Sequence, residues 1–326
     1  MKRNVKRALR ASATLAIVAL LVIFARRINW HATWTSISEA APRPLLLAAV
    51  LNVISLLVKG TRWWIFLRPQ GCSLGLALRA TVAGAGLNNV LVANAGEAAR
   101  VMFVSRVTGG SSAGVLAALT LERLFDAIGY TLLLALATLF LDLPHSVARF
   151  RYGAVVLLLL VLALLGYLLK RPRSEPLGRR ILPPGTAFLM RARSFGAHFV
   201  ENLQGLITIP RAALATLLSI IAWSLQVATY HLTAVALHFP ILLAGSIAIL
   251  LTENIGFLLR ATPGNVGVFQ FVYAITASAM GLDSDAAVAV AVLLQTLQVI
   301  PVTLLGVALA PEFVFRKKRK PPEAVV

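Results

Sequence analysis

The sequence predicts an all-α, polytopic integral membrane bundle of about eight transmembrane helices, with broken or re-entrant helices set into two halves. Three observations predict it. Across 326 residues, 59% are hydrophobic and only 13% charged, with a mean hydropathy of +0.83. Soluble domains carry about 25% charged residues, so this chain cannot cover a globule with solvated surface. Apolar stretches of bilayer-spanning length recur along the whole chain, and basic clusters flank them. A soluble enzyme, a disordered chain and a fibrous protein are excluded.

The elements follow in order. Candidate spans are Ser12–Ala25, Leu45–Lys59, Val115–Leu141, Gly153–Leu169, Ala212–Ala236, Ile241–Leu259, Val266–Gly281 and Ala286–Ala310. The first is an uncleaved anchor, because Arg26 and Arg27 stand where a signal peptidase needs small residues. Trp30, Trp34, Trp63 and Trp64 fall at segment ends, where amphipathic rings favour the headgroup layer, and Lys59 to Trp64 reads as an interfacial anchor. The stretch from Leu74 to Arg106 gathers Gly84, Gly86, two asparagines and Glu97. Unpaired backbone and charge are tolerated at that depth only inside protein or a wet cavity, so a re-entrant pair of half-helices is expected. No segment alternates like a strand. The chain forms one domain: a first half over about 1–169, a basic loop at 170–211, a second half at 212–310 and a basic tail at 311–326.

Thirty-one basic against twelve acidic residues give a net charge of +19. The basic residues concentrate near the N-terminus, in the central loop and in Arg316 to Lys320, so they mark topology and not nucleic-acid binding. Crossing parity places both termini and the central loop in the cytoplasm, at the cytoplasmic membrane. A single cysteine, Cys72, excludes an internal disulfide, and the five histidines show no metal-ligand spacing. No cofactor is expected.

Four acids, Glu97, Glu122, Asp126 and Glu253, lie in or against apolar stretches. Each costs about 2.5–3.5 kcal/mol at a helix centre on insertion scales, so each must face protein or water. Cations stand at helical spacing from them: Arg100 three after Glu97, Arg123 three before Asp126, and Arg260 seven after Glu253. Glu122 and Asp126 share a face. Such a set suits a zwitterionic or anionic headgroup, or serves as structural ion pairs. The second half is interrupted at Arg260 to Gln270, through Pro263, Gly264 and Gly267, as the first is at Asn94 and Gly96. Interruptions at matching places in two halves point to a transporter's binding site, where amide donors at a helix start suit phosphate. Gln226, Gln295 and Gln298 read as helix-to-helix glue.

Three stretches together resemble the lysylphosphatidylglycerol synthase transmembrane-region, or flippase-like, family. Residues 94–100 read Asn-Ala-Gly-Glu-Ala-Ala-Arg, 121–126 read Leu-Glu-Arg-Leu-Phe-Asp, and 262–267 read Thr-Pro-Gly-Asn-Val-Gly. The resemblance marks Gly96, Glu97, Arg100, Glu122, Arg123, Asp126, Pro263, Gly264 and Gly267 as site or scaffold positions. Gln270 departs from it, standing where the family usually has glutamate. No polar stretch is long enough for the soluble synthase domain some members carry, so the resemblance implies lipid handling without synthesis. The expectation is a lipid transporter, with Arg100, Arg123 and Arg260 on the headgroup phosphate and the acids orienting them. Alternatives are an intramembrane enzyme using Glu122 or Asp126, or an accessory subunit of a lipid-biosynthesis pathway. The expected partners are membrane lipids.

Overall fold

A computed structural model describes residues 26, 29–90, 95–140, 151–170, 199, 201–256 and 265–315. Among these residues every regular element is helical. Helix α1 (Trp30–Ser38) starts at Asn29, whose side-chain oxygen accepts from the Ala32 amide at 3.1 Å. Helix α2 (Pro42–Leu67) opens on proline, which has no amide to leave orphaned. It ends through a 3₁₀ turn at Gly71, whose φ of 77° only glycine adopts without strain. Two shorter helices follow, α3 (Leu74–Val90) and α4 (Ala95–Thr108), then the long α5 (Ser112–Phe140) and α6 (Arg151–Lys170). The second half repeats the pattern: long α7 (Ile209–Ala236), short α8 (Leu243–Gly256) and α9 (Val268–Ser278), then long α10 (Ser284–Phe315).

Four helical stretches, Pro42–Gln70, Ser112–Phe140, Ile209–Ala236 and Ser284–Leu309, are long and apolar enough to cross a bilayer. The described α8 and α9 rise only about 21 and 17 Å, and α4 about 21 Å, against a hydrocarbon core of about 30 Å. Within the expected spans Ile241–Leu259 and Val266–Gly281 the described helices are thus shorter than the bilayer core, and 257–264 between them lie outside the described residues. The expected first span, Ser12–Ala25, most of the basic loop (171–198 and 200) and the tail from 316 onward also lie outside them.

The two long leading helices, α2 and α7, form the central pair and run antiparallel. Ala41 donates its amide to the Ala236 carbonyl, the Thr229 hydroxyl reaches Ala48, and the Ser55 hydroxyl reaches Ala222. Each half thus reads long, short, short, long, and the halves meet head to tail along their first helices. The short helices pair as hairpins: the Thr252 and Thr276 hydroxyls lie 2.9 Å apart across α8 and α9, and Asn88 meets Gly96 across α3 and α4. Two apolar cores result. One gathers Trp63, Phe66, Phe103, Leu121 and Phe125; the other gathers Trp223, Tyr230, Phe269 and Tyr273. Outward faces carry Leu46, Leu159, Leu160 and Leu304, apolar surface that suits lipid tails and not water.

Candidate functional site

Charge collects where the two cores meet. Arg62 of α2 is fully buried, donates to Asp126 Oδ1 of α5 at 2.7 Å and to the Ser219 hydroxyl of α7 at 2.6 Å. Arg100 of α4 donates to Glu122 Oε2 of α5 at 2.7 Å, and its guanidinium lies 4.5 Å from the Trp63 ring centre. Arg123 closes the outer edge, bonding Glu97 of α4 and, at 3.3 Å, Asp126 Oδ2. Lys59 of α2 stands within electrostatic reach of Asp126, Glu122, Arg62 and Arg123, with its ammonium 5.7 Å from the Trp223 ring centre. Three helices, α2, α4 and α5, therefore converge four basic groups on three carboxylates, and α7 adds the Ser219 hydroxyl. Among the described residues Lys59 makes no ion pair, so the basic groups here outnumber the carboxylates by one.

Helical geometry explains the convergence. Glu122 and Asp126 lie one turn apart on α5 and face α4 and α2. Lys59, Arg62 and Trp63 share one face of α2 by the same spacing. The cluster is graded by depth. Arg100 and Glu122 are sealed, whereas Glu97 and Asp126 side chains are 20% exposed and Arg123 is 51% exposed. The inner pair is a structural lock; the outer acids and Arg123 are reachable. The Nε donors of Arg62 and Arg100 are buried without a hydrogen-bond partner.

Several sequence expectations are corrected here. Glu97 and Arg100 do not pair along their own helix; each reaches α5 instead, because helix α4 packs on α5 between them. Residues 59–64 are no interfacial anchor. Helix α2 continues to Leu67, which carries Arg62 and Trp63 inside, both at 0% exposure. Arg62 and Lys59 were missed as site residues. The signal for them was the apolar run Trp63 to Leu67 directly after Arg62, which extends the helix beyond the basic residues.

Of the two roles the resemblance marked for the motif glycines, site or scaffold, the contacts of Gly96 and Gly267 are of the scaffold kind. The Gly96 amide donates to the Asn88 side chain at 2.8 Å, and the Gly267 amide to the Gln270 side chain at 2.7 Å. Neither is free for an anion. A Cβ on Gly96 would run into the Gly84 carbonyl oxygen, so this glycine permits backbone contact between α3 and α4. Gly267 takes a φ of 86° to start α9. Gln270 also donates to Gln295 at 2.5 Å, an amide tie between α9 and α10 at the position of the family's usual glutamate.

Glu253 is not part of the cluster. It is fully buried in α8, close to Tyr230 and Tyr273, and both carboxyl oxygens lack a hydrogen-bond partner. Asn265, which the sequence reading passed over, is 3% exposed in a left-handed conformation (φ 59°) with both side-chain polar atoms unpartnered. Asn94, Arg260, Pro263 and Gly264 lie outside the described residues.

A second feature flanks the end of α2. Trp64, Ile65, Arg68, Pro69, Pro210, Arg211 and Leu214 line a cavity of about 380 Å³, and an adjoining one of about 400 Å³ runs from Pro69 and Gln70 to residues 201–206.

No relative among curated proteins matches the chain. A family model does, and it spans both halves of the bundle: the lysylphosphatidylglycerol synthase TM region matches residues 12–306. With apolar helices long enough to span a bilayer and the charged motifs of α4 and α5 drawn into one cluster, this multi-pass membrane protein, of a family tied to lipid metabolism or transport, belongs to the lysylphosphatidylglycerol synthase TM region family.

Proposed function

We propose that the protein moves a phospholipid or lipid-linked molecule across the cytoplasmic membrane, holding an anionic or zwitterionic headgroup at the α2–α4–α5–α7 cluster. The observation that carries this reading is the excess basic group: Lys59 and the half-exposed Arg123 stand beside an already balanced inner lock. A phosphate suits that imbalance, since Lys59 pairs with no carboxylate among the described residues and would take up a phosphate as its ammonium, while Arg123 can exchange a carboxylate for it. The partly exposed Glu97 and Asp126 would meet a cationic headgroup group next to that phosphate.

The short helix pairs support the transport reading. In this proposal α3–α4 and α8–α9 are re-entrant hairpins, each entering and leaving on one side, with both termini cytoplasmic. Two halves packed along antiparallel leading helices suit alternating access by rocking of one half on the other. No phosphate-binding GxxxxGK[ST] motif occurs, so movement is passive or ion-coupled. We read the chain as a carrier and not an enzyme: Glu122 and Asp126, the acids a catalytic reading would need, are each engaged by an arginine.

The test is translocation of a fluorescent anionic phospholipid in reconstituted vesicles. Losing one charge-assisted contact worth about 1.5–3 kcal/mol should lower apparent affinity roughly tenfold or more in Lys59→Ala and Arg123→Ala, with the fold intact. Wild-type rates in both variants would remove the cluster from the transport path.

A further inference from the structure

We propose that Glu253 is a proton-binding site, carrying a proton while the α8–α9 hairpin is sealed and releasing it only when that hairpin opens. The coupling part of this inference rests on the transport reading above; the protonation part stands without it.

The surroundings of Glu253 leave its charge unsupported. The residue is at 0% exposure, and neither carboxyl oxygen has a hydrogen-bond partner. The backbone of Tyr273 lies alongside, outside hydrogen-bonding geometry. From α7 the titratable neighbours are Tyr230, beside it, and His231, whose ring bonds the Ser246 hydroxyl two turns earlier on α8. From α9 the neighbour is Tyr273. From α5, Tyr130 gives its hydroxyl to the Leu251 carbonyl. From α10, Gln298 interacts with Tyr230. Among the described residues no lysine or arginine bonds Glu253. Phenols carry no positive charge, so nothing among the described residues offsets an anion there.

An isolated carboxylate in such a place is far more costly than its neutral acid, and the group stays neutral by keeping its proton. Ionisation requires water, and water requires separation of α8 from α7 and α9. The proton therefore binds the sealed arrangement more tightly than the opened one, and differential binding is the condition for shifting a conformational equilibrium. The hairpin also has a mechanical link to the charged cluster. Tyr130, which holds the Leu251 carbonyl two residues before Glu253, lies one turn from Asp126 on α5. Arg62 anchors Asp126 in turn. Opening at Glu253 and rearrangement at the headgroup cluster thus share one helix.

Two measurements on the full-length protein decide the matter. Infrared spectroscopy of the reconstituted protein at neutral pH should show a carboxylic-acid carbonyl band that disappears in Glu253→Gln, with thermal stability unchanged or higher. A band that is absent, or that persists in the variant, overturns the proposal. The second measurement follows fluorescent anionic phospholipid across vesicles as pH is varied on one side. The wild-type rate should change by up to about tenfold per pH unit, the limit for one proton, and Glu253→Gln should be flat. Equal pH dependence in both overturns the coupling. If wild type moves no lipid at any pH, the transport reading fails, and the infrared band alone still decides whether Glu253 holds a proton.

Discussion

Arg100 carries the sharpest consequence at the scale of single residues. Its guanidinium is spent on Glu122 and on the face of Trp63, in a place too buried for bulk water to take over either partner. Removing one member of such a buried pair costs about 3–5 kcal/mol, because the other is left charged and alone. Arg100→Met and Glu122→Leu should each lower stability by that amount, and the double substitution should recover most of it. Thermal unfolding in detergent measures the cycle; additive losses would mean the two charges do not form a unit. Cys72, in the turn after α2, makes a second case. Burial pushes its thiol up to about 11, from an ordinary value of 9.0. At neutral pH the thiolate fraction is then roughly a hundredfold below that of a free thiol. Maleimide should label the folded protein slowly and the denatured protein fast, and the folded rate should climb as pH rises toward 11. By linkage, the stability from this burial is complete below pH 9 and fades as the thiol ionises near 11.

At the scale of elements, small residues decide which helices touch. A Cβ on Gly86 would stand 2.7 Å from the Gly306 Cα and 2.8 Å from the Val302 carbonyl oxygen, so α3 and α10 meet backbone to backbone. The Asn89 amide then reaches the Thr303 hydroxyl at 3.0 Å. In lipid, where apolar surface gains little by leaving its solvent, close packing of this kind supplies much of the association energy. Gly86→Val should force α3 off α10 and cost at least about 1–3 kcal/mol, the usual penalty for overpacking. Unchanged melting would show that the crossing is not tight. The glycines of the Leu74–Arg106 stretch were read as the mark of a re-entrant pair of half-helices, and nothing in the sequence says that Gly86 faces Gly306, 220 positions away. The two motif glycines tell the same story: a break in the helical pattern was visible, while the side chains that take up their amides, Asn88 and Gln270, were not.

At the scale of the whole molecule, a long, two short and a long helix follow one another in both halves, and the charged cluster sits between the two cores. Composition and hydropathy alone determined that the chain is an all-helical membrane protein and that Glu97, Glu122, Asp126 and Glu253 must avoid lipid. Those conclusions rest on solvation, which acts on each residue whatever its neighbours. Which charge meets which was decided only by tertiary structure. Glu97 found Arg123 in place of Arg100, Arg62 proved central, and Glu253 has no counter-charge among the described residues. The physical reason is range: an ion pair needs its partners within about 4 Å, and that proximity comes from how α2, α4, α5 and α7 cross, a property of no single segment.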